Sequence, residues 1–521
     1  MKTTLFLERT SSILNGRIGY LLIFFVLLGA LALRGYYGSM KEGLHMDESL
    51  TFTISSCDSI SYSAPFISGK EYTGREMQKE VYGRREGLKG MAKDLYNLRI
   101  DVNDQSHSNI YYSLIRIFIG DTEACNVSAL INRGVVLNII LFLLCFGVTA
   151  LLLRNLGYGK ILIAVCLAFM YLNTGTVSCT MFIRRYQLEM LAVMVFAIVF
   201  IRYYRKIMAG ENIRTWQDML LLSASISFLL LSDYFMIVYL GVMGIFLVYK
   251  SLKMQNKQNV VFLVVTFLLS FVFSSAFYSK FLAGFVPVGQ TSAALSKFGP
   301  HLILDNLIVS LRAAFSFLHE DILNLFLLIP VLGILVLMHW KKKESFLKRE
   351  DSILWIISLI SFFIICVLAP HKVSRYVYPV MPLVCLVFPI FVRQLKNKLY
   401  KMLVVLLIVG ISVIKVYDIN KIDFLYKDTE QSQFFKVNVH VPLVVVNESY
   451  SWYLSDIVPY IQREQRVIFY DNLDSLSEDK MHNCYLLLDK NSEMPLFNKI
   501  EVEECGTVGI YFKAYRINSA K

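Results

Sequence analysis

The chain reads as an α-helical polytopic membrane protein, about 11 transmembrane helices followed by a small C-terminal α/β extracytoplasmic domain. Three observations predict this. Hydrophobic residues fill 56% of 521 positions and charged residues only 18%, a balance that a soluble multidomain protein does not show. Apolar runs of roughly 17 to 25 residues, the length that crosses about 30 Å of hydrocarbon, recur from residue 18 to residue 417. Beyond 417 the pattern changes to short apolar strands separated by polar segments.

The spans are read at 18–34, 134–153, 161–174, 186–202, 217–232, 234–249, 260–283, 321–339, 352–370, 377–392 and 402–417. Their short basic connections fix the orientation, because Lys and Arg resist translocation. Lys2, Arg9 and Arg17 precede the first span; Arg154 with Lys160, Arg202 with Arg205 and Lys206, Lys250 with Lys253 and Lys257, Lys341–Lys343, and Arg393 with Lys396 and Lys398 follow at alternate ends. All fall on one side, so the N-terminus is expected in the cytoplasm and the C-terminal domain outside. Ala30 and Ala32 offer a signal-cleavage site, but losing that anchor would spoil a consistent orientation. The net charge of +12 comes from these flanks and from the first outer loop. It suits anionic lipid or phosphate and not nucleic acid.

Two modules follow, a membrane module over 1–417 and an outer α/β domain over 418–521. The membrane module carries a long outer loop at 35–132 and a flap at 284–320. Loops of such length carry structure of their own. Within the first, 76–99 is charged and broken by Gly83, Gly87 and Gly90, whereas Ile110–Ile119 is an apolar helix able to lie along the interface. The flap is punctuated by Gly284, Pro287, Gly289 and Gly299-Pro300, then turns partly amphipathic. The tail is read as strands at 443–446, 467–470, 485–488 and 509–517 with a helix at about 450–463. It holds 11 Lys and Arg against 16 Asp and Glu, five net negative charges. Nine cysteines show no metal-ligand spacing. Cys145, Cys166, Cys366 and Cys385 read as small core residues in spans; Cys57, Cys125, Cys484 and Cys505 lie outside, where a disulfide is permitted.

The most informative stretch is Gly43-Leu44-His45-Met46-Asp47-Glu48, a dozen residues past the first span. Adjacent carboxylates point in different directions on a regular backbone, so one is expected to face a cavity while the other supports it. An ordinary solvated loop is the simpler reading of an Asp-Glu dipeptide alone. Arg184, Arg185, Lys372 and Arg375 are outer cations beside spans, against the usual charge bias. They suit either lipid phosphates in general or one bound phosphate. Glu48, Asp104 and His107, with His45 nearby, offer donors suited to a divalent metal ion, although a lone outer histidine is more often a hydrogen-bonding residue. Asp233 reads first as a helix cap.

Five elements in order resemble the GT-C superfamily of polytopic glycosyltransferases, in particular the bacterial branch similar to protein O-mannosyltransferases and the lipid A aminoarabinose transferase (glycosyltransferase family 39-like). They are His45-Met46-Asp47-Glu48-Ser49; Asp104-Gln105-Ser106-His107-Ser108-Asn109-Ile110-Tyr111-Tyr112; Gly120-Asp121-Thr122-Glu123 with Arg133; Arg184-Arg185-Tyr186-Gln187-Leu188; and Arg375-Tyr376-Val377-Tyr378-Pro379 with Pro382. They cover about residues 18–395. The family's two prolines after the histidine are replaced here by Ser108 and Asn109.

The resemblance implies a sugar donor on polyprenyl phosphate, transferred with inversion to a lipid, glycan or protein acceptor on the outer face, in a bacterial inner membrane. Asp47 is the expected general base, with Glu48 beside it. His45, His107, Tyr111, Arg184, Arg185, Tyr186, Lys372 and Arg375 are the expected substrate-binding residues, with Arg185 and Arg375 on the donor phosphate. Such a leaving group departs as an anion and needs positive charge more than a second acid. The rival readings are a transporter or flippase of a lipid-linked saccharide and a non-catalytic assembly protein. Transporters show broken helices and mid-span charges, whereas here most charges sit at span ends.

Overall fold

A computed structural model describes residues 2–56, 66–100, 109–211, 213–285, 303–322, 349–395, 397–427, 429–476, 481–494 and 500–519. Two compact units emerge. The first comprises Met1–Tyr36 and Asn138–Asp423; the second comprises Tyr37–Asp104, Asn109–Leu137 and Phe424–Lys521. The tail from Phe424 shares its unit with most of the loop that follows the first span.

The first unit is a helical membrane module. Among the described residues seven helices are long and apolar enough to span: Arg17–Ser39 within α1 (Lys2–Ser39), α6 (Val127–Asn155), α9 (Tyr186–Met208), α11 (Met236–Lys253), α12 (Lys257–Phe277), and the helices Glu350–Leu368 and Leu399–Tyr417. The pair α7 (Lys160–Tyr171) and α8 (Thr174–Met181), bent by 62°, makes an eighth if it is one span. The runs expected at 217–232 and 377–392 form the shorter apolar helix α10 (Trp216–Ser232) and the broken helical run Tyr378–Gln394. Almost all of the span expected at 321–339 lies outside the described residues.

Side chains explain where these helices begin and bend. Thr215 accepts the Asp218 amide, Asn256 that of Asn259 and Asn397 that of Leu399, each satisfying an orphan donor of a first turn. The α7–α8 break frees backbone groups that lipid cannot satisfy. Arg34, fully buried, answers them: Nη1 donates to Tyr171 O (3.1 Å), Nη2 to Thr176 O (3.2 Å) and Nε to Thr180 Oγ1 (3.0 Å), with its guanidinium 3.6 Å from the Phe142 ring centre. Asn138 Nδ2 donates to Thr180 O and Phe182 O just beyond α8. At the end expected to face the cytoplasm, Lys206 pairs with Asp218 at 2.8 Å and Arg205 with Glu350 at 2.5 Å.

The second unit is built on a six-stranded sheet of order β1-β3-β2-β4-β6-β5, with β1 Glu71–Thr73, β2 Leu443–Val446, β3 Arg466–Tyr470, β4 Cys484–Asp489, β5 Ile500–Val508 and β6 Phe512–Ser519. The three central strands are parallel and the edges antiparallel. Near-continuous apolar runs such as Leu443–Val446, buried throughout, are what a parallel interior requires. Leu486, Leu488, Val444, Val446, Met481 and Ile517 form the core of one face.

Two expectations for the tail are corrected. The helix expected at 450–463 is a 3-10 turn over Ser451–Asp456, because Pro459 removes an amide the helix would need and Asp456 instead accepts the Ile510 and Tyr511 amides. The last strand, expected from 509, begins at Phe512 and is preceded by β5, whose Glu501, Glu503 and Glu504 suit an exposed edge.

Around this sheet, α3 (Gly74–Tyr82) starts with a full capping box, Thr73 accepting from Glu76 N and Glu76 from Thr73 N. α4 spans Gly87–Ile100 and α5 Ile110–Ile119, the latter with the expected boundaries. Buried Asp94 binds Arg116 Nε at 2.7 Å and Arg85 Nη1 at 2.5 Å, which ties α4 to α5.

Candidate active site

In the second unit, the His45–Glu48 motif opens α2 (Met46–Ser56). His45 is its N-cap: Nδ1 accepts the Asp47 amide at 3.0 Å, while the Glu48 carboxylate reaches back to the His45 amide at 2.7 Å. An imidazole accepting through Nδ1 carries its proton on Nε2. The ring is wedged edge-on to Phe424 (6.1 Å between centres) and beside Tyr426 (5.9 Å).

The two acids diverge as their adjacency demands. Glu48 is wholly buried and pairs with Lys41 Nζ at 3.0 Å, itself wholly buried and also bonded to the Phe424 carbonyl. Burial pushes the Lys41 ammonium below its ordinary range and Glu48 opposes the shift. Asp47, by contrast, keeps 18% of its side chain exposed, 3.6 Å from His45 Nδ1. So Glu48, expected with Asp47 in the chemistry, is placed as an internal strut.

The loop that delivers the motif has no room for a side chain at Gly43. A Cβ there would lie 2.6 Å from Tyr460 Oη, which donates to Leu44 O at 2.8 Å. Ser49 Oγ and Tyr82 Oη, 2.6 Å apart, fix the next turn. Tyr111 is buried in α5. Asp104 and His107 lie outside the described residues. Of the residues expected at a metal ion, Glu48 pairs with Lys41 and His45 Nδ1 accepts a backbone amide. No group of three or more acids, histidines or cysteines that could hold a metal occurs among the described residues.

Arg184 and Arg185 precede α9, both buried, and Arg184 N donates to Phe182 O at 2.7 Å. The Arg185 guanidinium meets two buried carboxylates, Glu189 at 2.9 Å and Asp233 in closer contact. Asp233, the C-cap of α10, also accepts the Phe235 amide at 2.5 Å, so it is both the helix cap expected and an ion partner not foreseen. Tyr186 stacks on Phe182 at 5.6 Å and meets Tyr376 edge-on at 6.4 Å. Arg375 lies over the same rings, 5.6 Å from Phe182 and 5.8 Å from Tyr376. Lys372 is different. Its ammonium donates to Cys366 O (2.8 Å), Val367 O (3.0 Å) and Ala369 O (3.3 Å), a C-terminal cap on Glu350–Leu368.

The described helices define a multi-pass membrane protein, and its fold is similar to that of the GT-C glycosyltransferases. The Alg9-like mannosyltransferase family model matches residues 315–450. The crystal structure of ArnT from Cupriavidus metallidurans bound to undecaprenyl phosphate is similar over 96% of this chain and 98% of its own, with a TM-score of 0.51 and 12% sequence identity. No curated protein matches in sequence.

Proposed function

We propose that this protein transfers a sugar from a polyprenyl-phosphate-linked donor to a lipid, glycan or protein acceptor on the extracytoplasmic face of a bacterial inner membrane, with inversion. The carrying observation is the division of labour in the Asp47-Glu48 pair: one carboxylate locked on a lysine, the other presented from the first turn of α2. Asp47 takes the proton from the acceptor hydroxyl as it attacks the anomeric carbon. The bond to the phosphate oxygen breaks on the opposite face, and the phosphate leaves as an anion that needs cations, not an acid. Arg375 bears on that phosphate most directly, on its ring platform. Arg185 contributes under competition from Glu189 and Asp233, with Arg184 beside it. His45, Tyr111 and Tyr186 shape the binding surfaces, and His107 completes the proposed set. That a solved protein of this fold holds undecaprenyl phosphate supports the donor class.

A second reading, a transporter or flippase of a lipid-linked saccharide, gains from one observation: the 62° break between α7 and α8 is of the type transporters build sites from. Asp47→Asn separates the two. Transfer requires turnover to vanish with donor binding retained; transport requires little change. Chelation tests metal dependence, and the lipid-linked glycan that accumulates in cells lacking the protein identifies the donor.

A further inference from the structure

The second unit places a strand-order reversal at the carboxyl ends of its parallel strands. From β2 the chain passes outward to β3, then back across to β4 on the other side of β2. β2 and β4 thus flank a switch point in strand order, and it is at the carboxyl ends of such strands that open α/β sheets form a ligand-binding crevice.

What fills that position is chemistry without an internal purpose. Asp489, fully buried at the end of β4, accepts the Glu448 amide (2.9 Å) and the hydroxyls of Ser449 (2.8 Å) and Ser492 (2.9 Å), which fixes the loop after β2. Glu448 is held exposed by Ser492 Oγ at 2.7 Å. Asn447 is 7% exposed; its Nδ2 donates to Tyr450 O, yet its buried Oδ1 accepts no hydrogen bond among the described residues. Tyr470, ending β3, likewise has a buried hydroxyl with no hydrogen-bond partner among the described residues. Buried polar atoms left in this way are costly. Beside them stands an aromatic stack: Tyr453 lies on Tyr511 at 4.0 Å, Trp452 meets both edge-on, and Tyr450, 59% exposed, lies parallel to Trp452 at 5.8 Å.

We propose that the β2–β4 crevice is a saccharide-binding site for an uncharged, hydroxyl-rich ring. Tyr450 and Trp452 take the apolar C–H face of the sugar, while Asn447 Oδ1 and Glu448 accept its hydroxyls. Glu448, Asp471 and Asp489 together oppose a phosphate or other anion. The site is independent of the transfer reaction and uses no residue assigned to it.

The test is saturation-transfer NMR on the full chain in lipid nanodiscs, with maltose, cellobiose, lactose and mannobiose as probes. At least one should receive saturation at its ring C–H protons. The signal should fall at least tenfold in Tyr450→Ser and in Asn447→Leu, resist excess inorganic phosphate and persist in Asp47→Asn. Four blank probes, a signal unmoved by Tyr450→Ser, or loss in Asp47→Asn would overturn the proposal. So would quenching by brominated lipid of Trp452 emission in a protein with Trp216, Trp340 and Trp355 replaced by Phe, which would make the aromatic stack a membrane anchor.

Discussion

Two buried ion clusters, one in each unit, differ in stoichiometry. In the second unit one lysine meets one acid, Lys41 on Glu48, both wholly buried. In the first, one guanidinium meets two acids, Arg185 between Glu189 and Asp233. A matched buried pair is complete and can only hold structure. An arginine shared by two carboxylates already has its anions, and a third, a phosphate, must compete for it. Function is therefore expected at Asp47, part-exposed beside the completed pair, and at Arg375, whose cation lies over the Phe182 and Tyr376 rings.

The largest effect should come from breaking the completed pair. Lys41→Met strands Glu48 without its cation and should cost about 3–5 kcal/mol of stability, whereas adding Glu48→Leu should recover most of it. Thermal unfolding in nanodiscs checks both, and a Lys41→Met protein as stable as the parent would remove the strut from the account. Next, Arg375→Ala should raise the KM for donor by about 10- to 100-fold, the worth of charge-assisted hydrogen bonds. Arg185→Ala should weaken donor binding less and stability more. The reverse ranking would give Arg185 the phosphate. Gly43→Ala, which forces a Cβ against Tyr460, should cost about 1–3 kcal/mol, read as a lower midpoint.

A pH effect belongs to the tail. Burial raises the affinity of Asp489 for a proton, but the bonds from Ser449, the Glu448 amide and Ser492 outweigh it and hold the carboxyl below its ordinary range. A depressed acid stabilises the fold above the ordinary carboxylate pKa, and the contribution is lost as pH falls through the folded value. Asp489→Asn should therefore flatten the acid limb of the stability profile while lowering stability at neutral pH. The smallest effect is expected at the exposed Arg466–Glu71 pair across β1 and β3, worth about 0.2–1 kcal/mol in a double-mutant cycle despite its bidentate geometry.

Hydropathy made the spans legible because lipid imposes one rule on every residue of a run. The Ile110–Ile119 helix and the three parallel strands were readable for the same reason: burial leaves continuous apolar stretches. β1 and β5 were not, being short or acid-rich edges whose partners alone make them strands. At the site, the Arg185–Glu189 pair stood at i, i+4 spacing and could have been read from it. Asp233, 48 residues further along, could not. Likewise the split between Asp47 and Glu48 followed from adjacency, but which of them would be buried depended on Lys41, a residue that sequence presents only as one more cation after a span.

The most direct measurement is single-turnover transfer by Asp47→Asn with a radiolabelled polyprenyl-phosphate sugar, alongside donor binding by the same protein. Retained donor affinity with transfer reduced at least a hundredfold is the result the account predicts. Transfer at an undiminished rate would contradict it.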